Sequence, residues 1–151
     1  MQILSLTGNH DRQAFDCGRH ELNAWLRQVS RQHQDKGLSK TFVAVREEAP
    51  TRICGYFVLT LAELENQHLP DAWRKKLPQR IPGVRLGRQA VDHQFHGKKQ
   101  GELLLVDALT RAQRIYAEAD GIGLFVDAKD DEAARYYRNY GFEASPGNPL
   151  L

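Results

Sequence analysis

Residues 84–119 constrain the chain more than any other stretch. A strand-like segment (84–91) passes through a short polar turn with two glycines (92–101) into a long helical pattern. Leu105, Ala108, Leu109, Ala112, Ile115, Tyr116 and Ala119 recur at i, i+3, i+4 spacing, which lays one apolar stripe along a helix. The turn reads His96-Gly97-Lys98-Lys99-Gln100-Gly101, with Glu102 following in the first helical turn. Amides at a helix start lack intrahelical acceptors and lie at the positive end of the helix dipole. Glycine lets the backbone approach a ligand closely, and two lysines strengthen the field. The combination suits a pyrophosphate. An ordinary strand-to-helix loop satisfies the same residues, so this stretch alone leaves both readings open.

A chain of 151 residues predicts one domain, 1–151, able to bury roughly two-thirds of its unfolded surface. The longest apolar-rich run, 56–62, is too short to span a bilayer, and no basic-then-apolar leader opens the sequence, so a cytoplasmic protein is expected. Cys17 and Cys54 are the only cysteines and read as reduced thiols. The net charge of +2 is unevenly placed. Arg74, Lys75, Lys76, Arg80, Arg85, Arg88, Lys98 and Lys99 face only Asp92 between positions 74 and 99, whereas 120–132 carries five acids against Lys129. Such a basic run attracts a polyanion or merely forms a solvated face.

Along the chain, 1–6 is short and mostly apolar and reads as a first strand, at an edge. Leu22, Trp25, Leu26 and Val29 stripe a helix from His20 to about 34–36, with Gly37 as a left-handed cap. Residues 41–46 and 53–61 pair as a hairpin. From 62 to 82 the pattern dissolves into charges with Pro70, Pro78 and Pro82, predicting a substrate-side loop with a short helix over 71–76. Residues 122–126 form a buried-type strand, Asp130 caps a helix from Asp131 to about Tyr140, and Gly141 ends it. A strand begins over 142–144 and a turn follows at 146–149. Two strand–helix–strand passages argue for α/β architecture, a mixed central sheet with helices on both faces.

The turn resembles motif A of the GNAT acyltransferases, Arg/Gln-x-x-Gly-x-Gly/Ala, matching at Gly101 and departing at His96 and at Lys99, which replaces the central glycine. The segment Ala133-Ala134-Arg135-Tyr136-Tyr137-Arg138-Asn139-Tyr140-Gly141-Phe142 resembles the GNAT signature A-x-x-F-Y-x-x-x-G-F. FDCGRHELNAWLRQ, TFVAV, CGYFVLTLAEL, IPGVRLGRQAVD and YYRNYGFEASP, in that order, resemble the TacT/AtaT-type toxin branch of the same family. The resemblance implies a GNAT fold with CoA in the gap between splayed parallel strands. It implies acetyl-CoA as co-substrate, acetylation of the α-amine of aminoacyl-tRNA, arrest of translation, a ribbon-helix-helix antitoxin as partner and a homodimer.

It also implies roles. Tyr137 protonates the departing thiolate. His96, Gly97, Lys98, Lys99, Gln100, Gly101 and Glu102 hold the pyrophosphate, and Ala90 and Val91 offer backbone groups to pantetheine and the thioester carbonyl. Lys75, Lys76, Arg85 and Arg88 line the path of the acceptor stem, although Arg88 has an equally good structural reading. A phenol near pKa 10 can protonate a thiolate whose thiol lies near about 8.5, and an α-amine near about 7.7–8.0 is partly neutral at pH 7, so no strong base is required. Read as residues alone, three tyrosines within one helix are usually structural and pack it against a sheet. No metal is expected, since the histidines lack ligand spacing apart from His93 and His96. Two alternatives remain at this level: a GNAT acting on a small amine or protein N-terminus, and a degenerate GNAT, weakened at Lys99, that binds a partner without catalysis.

Overall fold

The computed structural model describes residues 1–65, 79–119, 124–126 and 131–142. In chain order these form β1 (Gln2–Ser5), α1 (His20–Gln28), α2 (Ser30–Asp35), β2 (Lys40–Val45), β3 (Gly55–Glu65), β4 (Arg80–Val91), a 3-10 turn (His93–Phe95), α3 (Gln100–Ala119), β5 (Leu124–Val126) and α4 (Asp131–Arg138). Among the described residues the strands make a mixed sheet in the order β1-β2-β3-β4-β5. β1 pairs antiparallel with β2 and β2 with β3, whereas β4 and β5 are parallel. The expected edge strand, hairpin and parallel pair are therefore all present. The chain divides into two compact units, 1–60 with 87–110 and 61–86 with 111–151.

In the first unit the two-residue alternation of strands decides which side chains meet which helix. Val43, Val45, Tyr56 and Val58 join Leu22, Trp25 and Leu26 of α1 in one buried cluster. The intervening residues face the other way, where the cross-strand partners Phe42 and Phe57 stack with ring centroids 5.2 Å apart. Gly55 shares that second face. A β-carbon on it would lie 2.9 Å from Leu104 Cδ1 of α3 and 3.0 Å from the Ala90 carbonyl oxygen, so this close approach requires glycine. Thus α1 and α3 cover opposite faces of the sheet. Tyr56 anchors the α1 side: its hydroxyl donates to the Leu22 carbonyl at 2.7 Å, and its ring lies 5.4 Å from Phe15 and 6.2 Å from Trp25. Burial raises its phenol well above the ordinary tyrosine range.

Four expectations are corrected. The first helix divides at Val29 into α1 and α2, because Ser30 Oγ donates to the Leu26 carbonyl at 2.6 Å and competes with the helical ladder there. Strands claim part of the charged stretch: β3 continues to Glu65 and β4 begins at Arg80, not 84. Exposure hides them from a burial pattern, as at Leu61, which is 75% exposed. Helix α3 already includes Gln100 and Gly101, which the sequence assigns to the turn. Its stripe is also rotated, with Leu104, Leu105, Ala108 and Ala112 buried while Leu109 is exposed. The helix over 71–76, the Asp130 cap, the strand residues 143–144, the turn at 146–149 and the side chains of Tyr116 and Ala119 lie outside the described residues.

In the second unit, β4 and β5 align Val84, Arg85 and Leu86 with Leu124, Phe125 and Val126. Phe125 lies where the β-carbon of any residue but glycine at position 83 would be. Helix α4 is capped by a turn in which Gly141 has φ +92°, as its sequence predicts.

Candidate functional site

The turn after β4 is built from the strand upward. Asp92 is 1% exposed, and its carboxylate accepts the amides of Gln94 at 3.0 Å and of Asp16 at 3.1 Å. Its own amide donates to the Cys54 carbonyl at 2.8 Å. His93 returns to Asp16 twice, with its amide and Nδ1 each 2.8 Å from the Asp16 carbonyl oxygen. Asp16 in turn accepts from the Gly18 amide at 2.9 Å and from Asn23 Nδ2 at 3.0 Å, bonds that hold its carboxyl below the usual range. The FDCG stretch is thereby tied to the end of β4. This explains a motif whose purpose the sequence does not reveal.

Beyond this knot the chain reverses through Gly97 at φ +78° and Lys99 at φ +60°. Lys99 is the one described residue other than glycine with a positive φ. It adopts the left-handed conformation that costs an L-residue about 1–2 kcal/mol and glycine nothing. The lysine therefore keeps the backbone form of the glycine it replaces. Its carbonyl accepts the Leu103 amide at 3.2 Å, so the amides of Gln100, Gly101 and Glu102 occupy the first turn of α3. Successive amides around left-handed residues make an anion-binding concavity. Lys98 and Lys99 are exposed beside it.

Two side chains fasten this turn to β4. Gln89 Nε2 donates to the Gly101 carbonyl at 2.7 Å, and His96 Nε2 lies 2.7 Å from the Val91 carbonyl. Gln89 is not legible as a brace in the sequence, because its partner is a backbone atom twelve residues away. Ala90 and Val91 differ in direction. The Ala90 carbonyl approaches Gly55 of β3, so by strand alternation the Val91 amide and carbonyl face the opposite side. Arg88 is half-exposed, with its guanidinium carbon 4.6 Å from the centre of the Trp25 ring. Arg85 is half-exposed and aligned with Phe125. Lys75 and Lys76 lie outside the described residues.

In the second unit Tyr137 sits in the last turn of α4. Its ring meets Tyr136 at 5.2 Å and Phe142 at 5.5 Å, both edge-on, and its carbonyl accepts the Tyr140 amide at 3.0 Å. Burial, with a smaller contribution from Tyr136, pushes its phenol up to about 12. The group thus keeps its proton at neutral pH. Cys17 and Cys54 are buried free thiols raised by desolvation, which leaves them poor nucleophiles.

No family model matches the sequence. A tRNA-acetylating toxin of Mycobacterium tuberculosis is 33% identical over 143 residues, which are 93% of this chain and 82% of that protein. Among solved structures, AtaT complexed with acetyl-methionyl-tRNAfMet aligns with a TM-score of 0.90 at 31% identity, over 99% of this chain and 92% of the other. A tyrosine-to-phenylalanine variant of AtaT, bound to the C-terminus of the antitoxin AtaR and acetyl-CoA, aligns with a TM-score of 0.81 at 28% identity, over 99% and 90%.

Proposed function

The chain belongs to the tRNA-acetylating toxins of the GNAT N-acetyltransferase family, and from that we propose that it moves an acetyl group from acetyl-CoA to the α-amine of an aminoacyl-tRNA, blocking translation. The observation that carries this reading is the turn at 96–101, where Gly97 and Lys99 both have positive φ at the mouth of α3. The amides of Gly97, Lys98, Lys99, Gln100, Gly101 and Glu102 suit a diphosphate, and the ammonium groups of Lys98 and Lys99 add charge without altering the backbone. The left-handed Lys99 also argues against the degenerate alternative, since its side chain has not displaced the glycine conformation.

Acetyl-CoA supplies the activated acetyl group; the chain's residues position it and handle protons. The Val91 amide, facing away from β3, is suited to polarise a thioester carbonyl. His96 Nε2 lies against the Val91 carbonyl and so fixes the following peptide, Val91–Asp92. Tyr137 gives its phenolic proton to the sulfur as the carbon–sulfur bond breaks, and the proton lost by the attacking amine leaves to water and restores the phenol. Burial pushes its phenol up to about 12, so Tyr137 carries that proton at neutral pH. An amine that is already partly neutral near pH 7 needs no carboxylate base.

The substrate reading makes Arg85, Arg88, Lys75 and Lys76 contacts for the acceptor stem and places the protein in the cytoplasm with charged tRNA. We extend the antitoxin partnership of AtaT to this chain, with a ribbon-helix-helix antitoxin and a homodimeric toxin. Acetyl transfer measured in parallel on a mixed aminoacyl-tRNA pool, free amino acids and peptides tests the function. Label on the charged tRNA alone is expected. Transfer to free amines or peptides with none to charged tRNA would overturn it.

A further inference from the structure

Arg46 and Arg52 flank the β2–β3 connection and Lys98 precedes α3, yet all three meet at one ring. The guanidinium carbons of Arg46 and Arg52 stand 4.7 Å and 5.5 Å from the centroid of Phe95, and Lys98 Nζ stands 5.8 Å from it. Phe95 is buried, whereas the arginine side chains keep 37% and 40% of their surface in water. An exposed cation gains only about 0.5–1 kcal/mol from a ring face, and one ring has two faces. Three cations gathered there therefore repel one another with modest compensation.

Neighbouring acids offset part of this charge. Asp92 is 3.9 Å from Arg52 Nη2, a long pairing, while its oxygens also accept the amides of Asp16 and Gln94. Glu48 stands 3.9 Å from Arg46 and is 71% exposed, a surface pair of the weak kind. Arg52 also donates to the neutral Gln94 Oε1 at 2.6 Å, which holds its planar fork against the 3-10 turn without cancelling its charge. Three cations still outnumber these two acids, and a phosphodiester supplies further negative charge and matches the guanidinium fork.

We propose that Arg46 and Arg52, gathered beside Lys98 on Phe95, form a docking site for the sugar-phosphate backbone of RNA. The proposal rests on charged tRNA as the substrate and adds a contact surface to it. Neither arginine belongs to the basic run at 74–99. RNA is favoured over the nucleotide end of the acyl donor because both arginines come from the β2–β3 connection, while the turn amides at 97–101 already suit the donor's diphosphate.

The test titrates fluorescently labelled uncharged tRNA into the wild-type chain, the Arg46→Gln/Arg52→Gln variant and the Arg46→Lys/Arg52→Lys variant at several salt concentrations. Acetyl-CoA is titrated in parallel by calorimetry. The glutamine variant is expected to bind tRNA about tenfold more weakly at low salt, with a salt slope smaller by about two. The lysine variant recovers most of the affinity, and acetyl-CoA affinity is equal in all three. Equal tRNA affinity in the glutamine variant overturns the proposal, as does wild-type protein that binds no tRNA. Loss of acetyl-CoA affinity with tRNA binding unchanged also overturns it, assigning the cluster to the donor's nucleotide end. If thermal melts show that the double variant has lost its fold, Arg46→Gln alone carries the comparison, with half the expected change in slope. Because the titration needs neither charged tRNA nor turnover, a wild-type protein that binds RNA but fails to acetylate charged tRNA sinks the substrate reading separately.

Discussion

In the unit formed by 1–60 and 87–110, the turn entering α3 is held by directed hydrogen bonds: the buried Asp92 to Asp16 and Gln94, Gln89 to Gly101, His96 to Val91. In the unit formed by 61–86 and 111–151, α4 has no fully buried residue, and among the described residues its tyrosine rings meet one another and Phe142. Directional bonds suit a concavity whose amides must point at a charged ligand, because each donor has one useful direction. Ring packing suits a phenol that must stay protonated, because it removes water without supplying a partner for the anion. One region thus fixes geometry and the other fixes a protonation state.

The sharpest way to break this division is at the phenol. Tyr137→Phe preserves the ring contacts and removes the proton, so turnover should fall on the order of 10³-fold with acetyl-CoA affinity unchanged, read by initial rates and calorimetry. An unaltered rate would remove the acid role. The polar region should break through stability instead. Asp92→Ala strips acceptors from two amides in a buried place and should cost about 3 kcal/mol in urea unfolding. Tyr140→Ala, which loses a half-buried ring 5.2 Å from Tyr136, should cost nearer about 1 kcal/mol. Equal losses would erase the contrast.

A pH profile separates the two regions without mutation. The amine must be neutral, so kcat/KM should rise about tenfold per pH unit below about 7.7 and level off near 8. The phenol must be protonated, so its descending limb belongs near pH 12, and none should appear between 8 and 10. A fall beginning near pH 9 would mean that Tyr137 is not held as described. The smallest effect divides backbone from charge at Lys99. Lys99→Gly relieves the left-handed strain and should stabilise the fold by about 0.5–1 kcal/mol. Lys99→Ala retains the strain, loses the ammonium and should weaken acetyl-CoA binding about threefold.

Much of this was legible before any coordinates. The α1 stripe, the hairpin, the parallel pair and the left-handed residues Gly37 and Gly141 follow from local rules of period and capping. The sequence shows position 99 as the departure from motif A, but only the backbone shows that Lys99 carries the conformation of the absent glycine. Long-range polar bonds were not legible. Asp92 reads as an isolated acid in a basic run, and its bond to Asp16 spans 76 positions. Arg46 and Arg52 stand on either side of a turn with nothing in their spacing to tie them to Phe95. The break at Val29 escaped because a serine hydroxyl, not a glycine or proline, disturbs the ladder.

The central claim is that the turn at 97–101 is shaped for a diphosphate before any ligand arrives. Its most direct test is a crystal structure with acetyl-CoA. The account predicts diphosphate oxygens about 2.7–3.2 Å from the amides of that turn, with Lys99 still at positive φ. A nucleotide docked elsewhere, or a turn that must refold with Lys99 leaving the left-handed region, would contradict it.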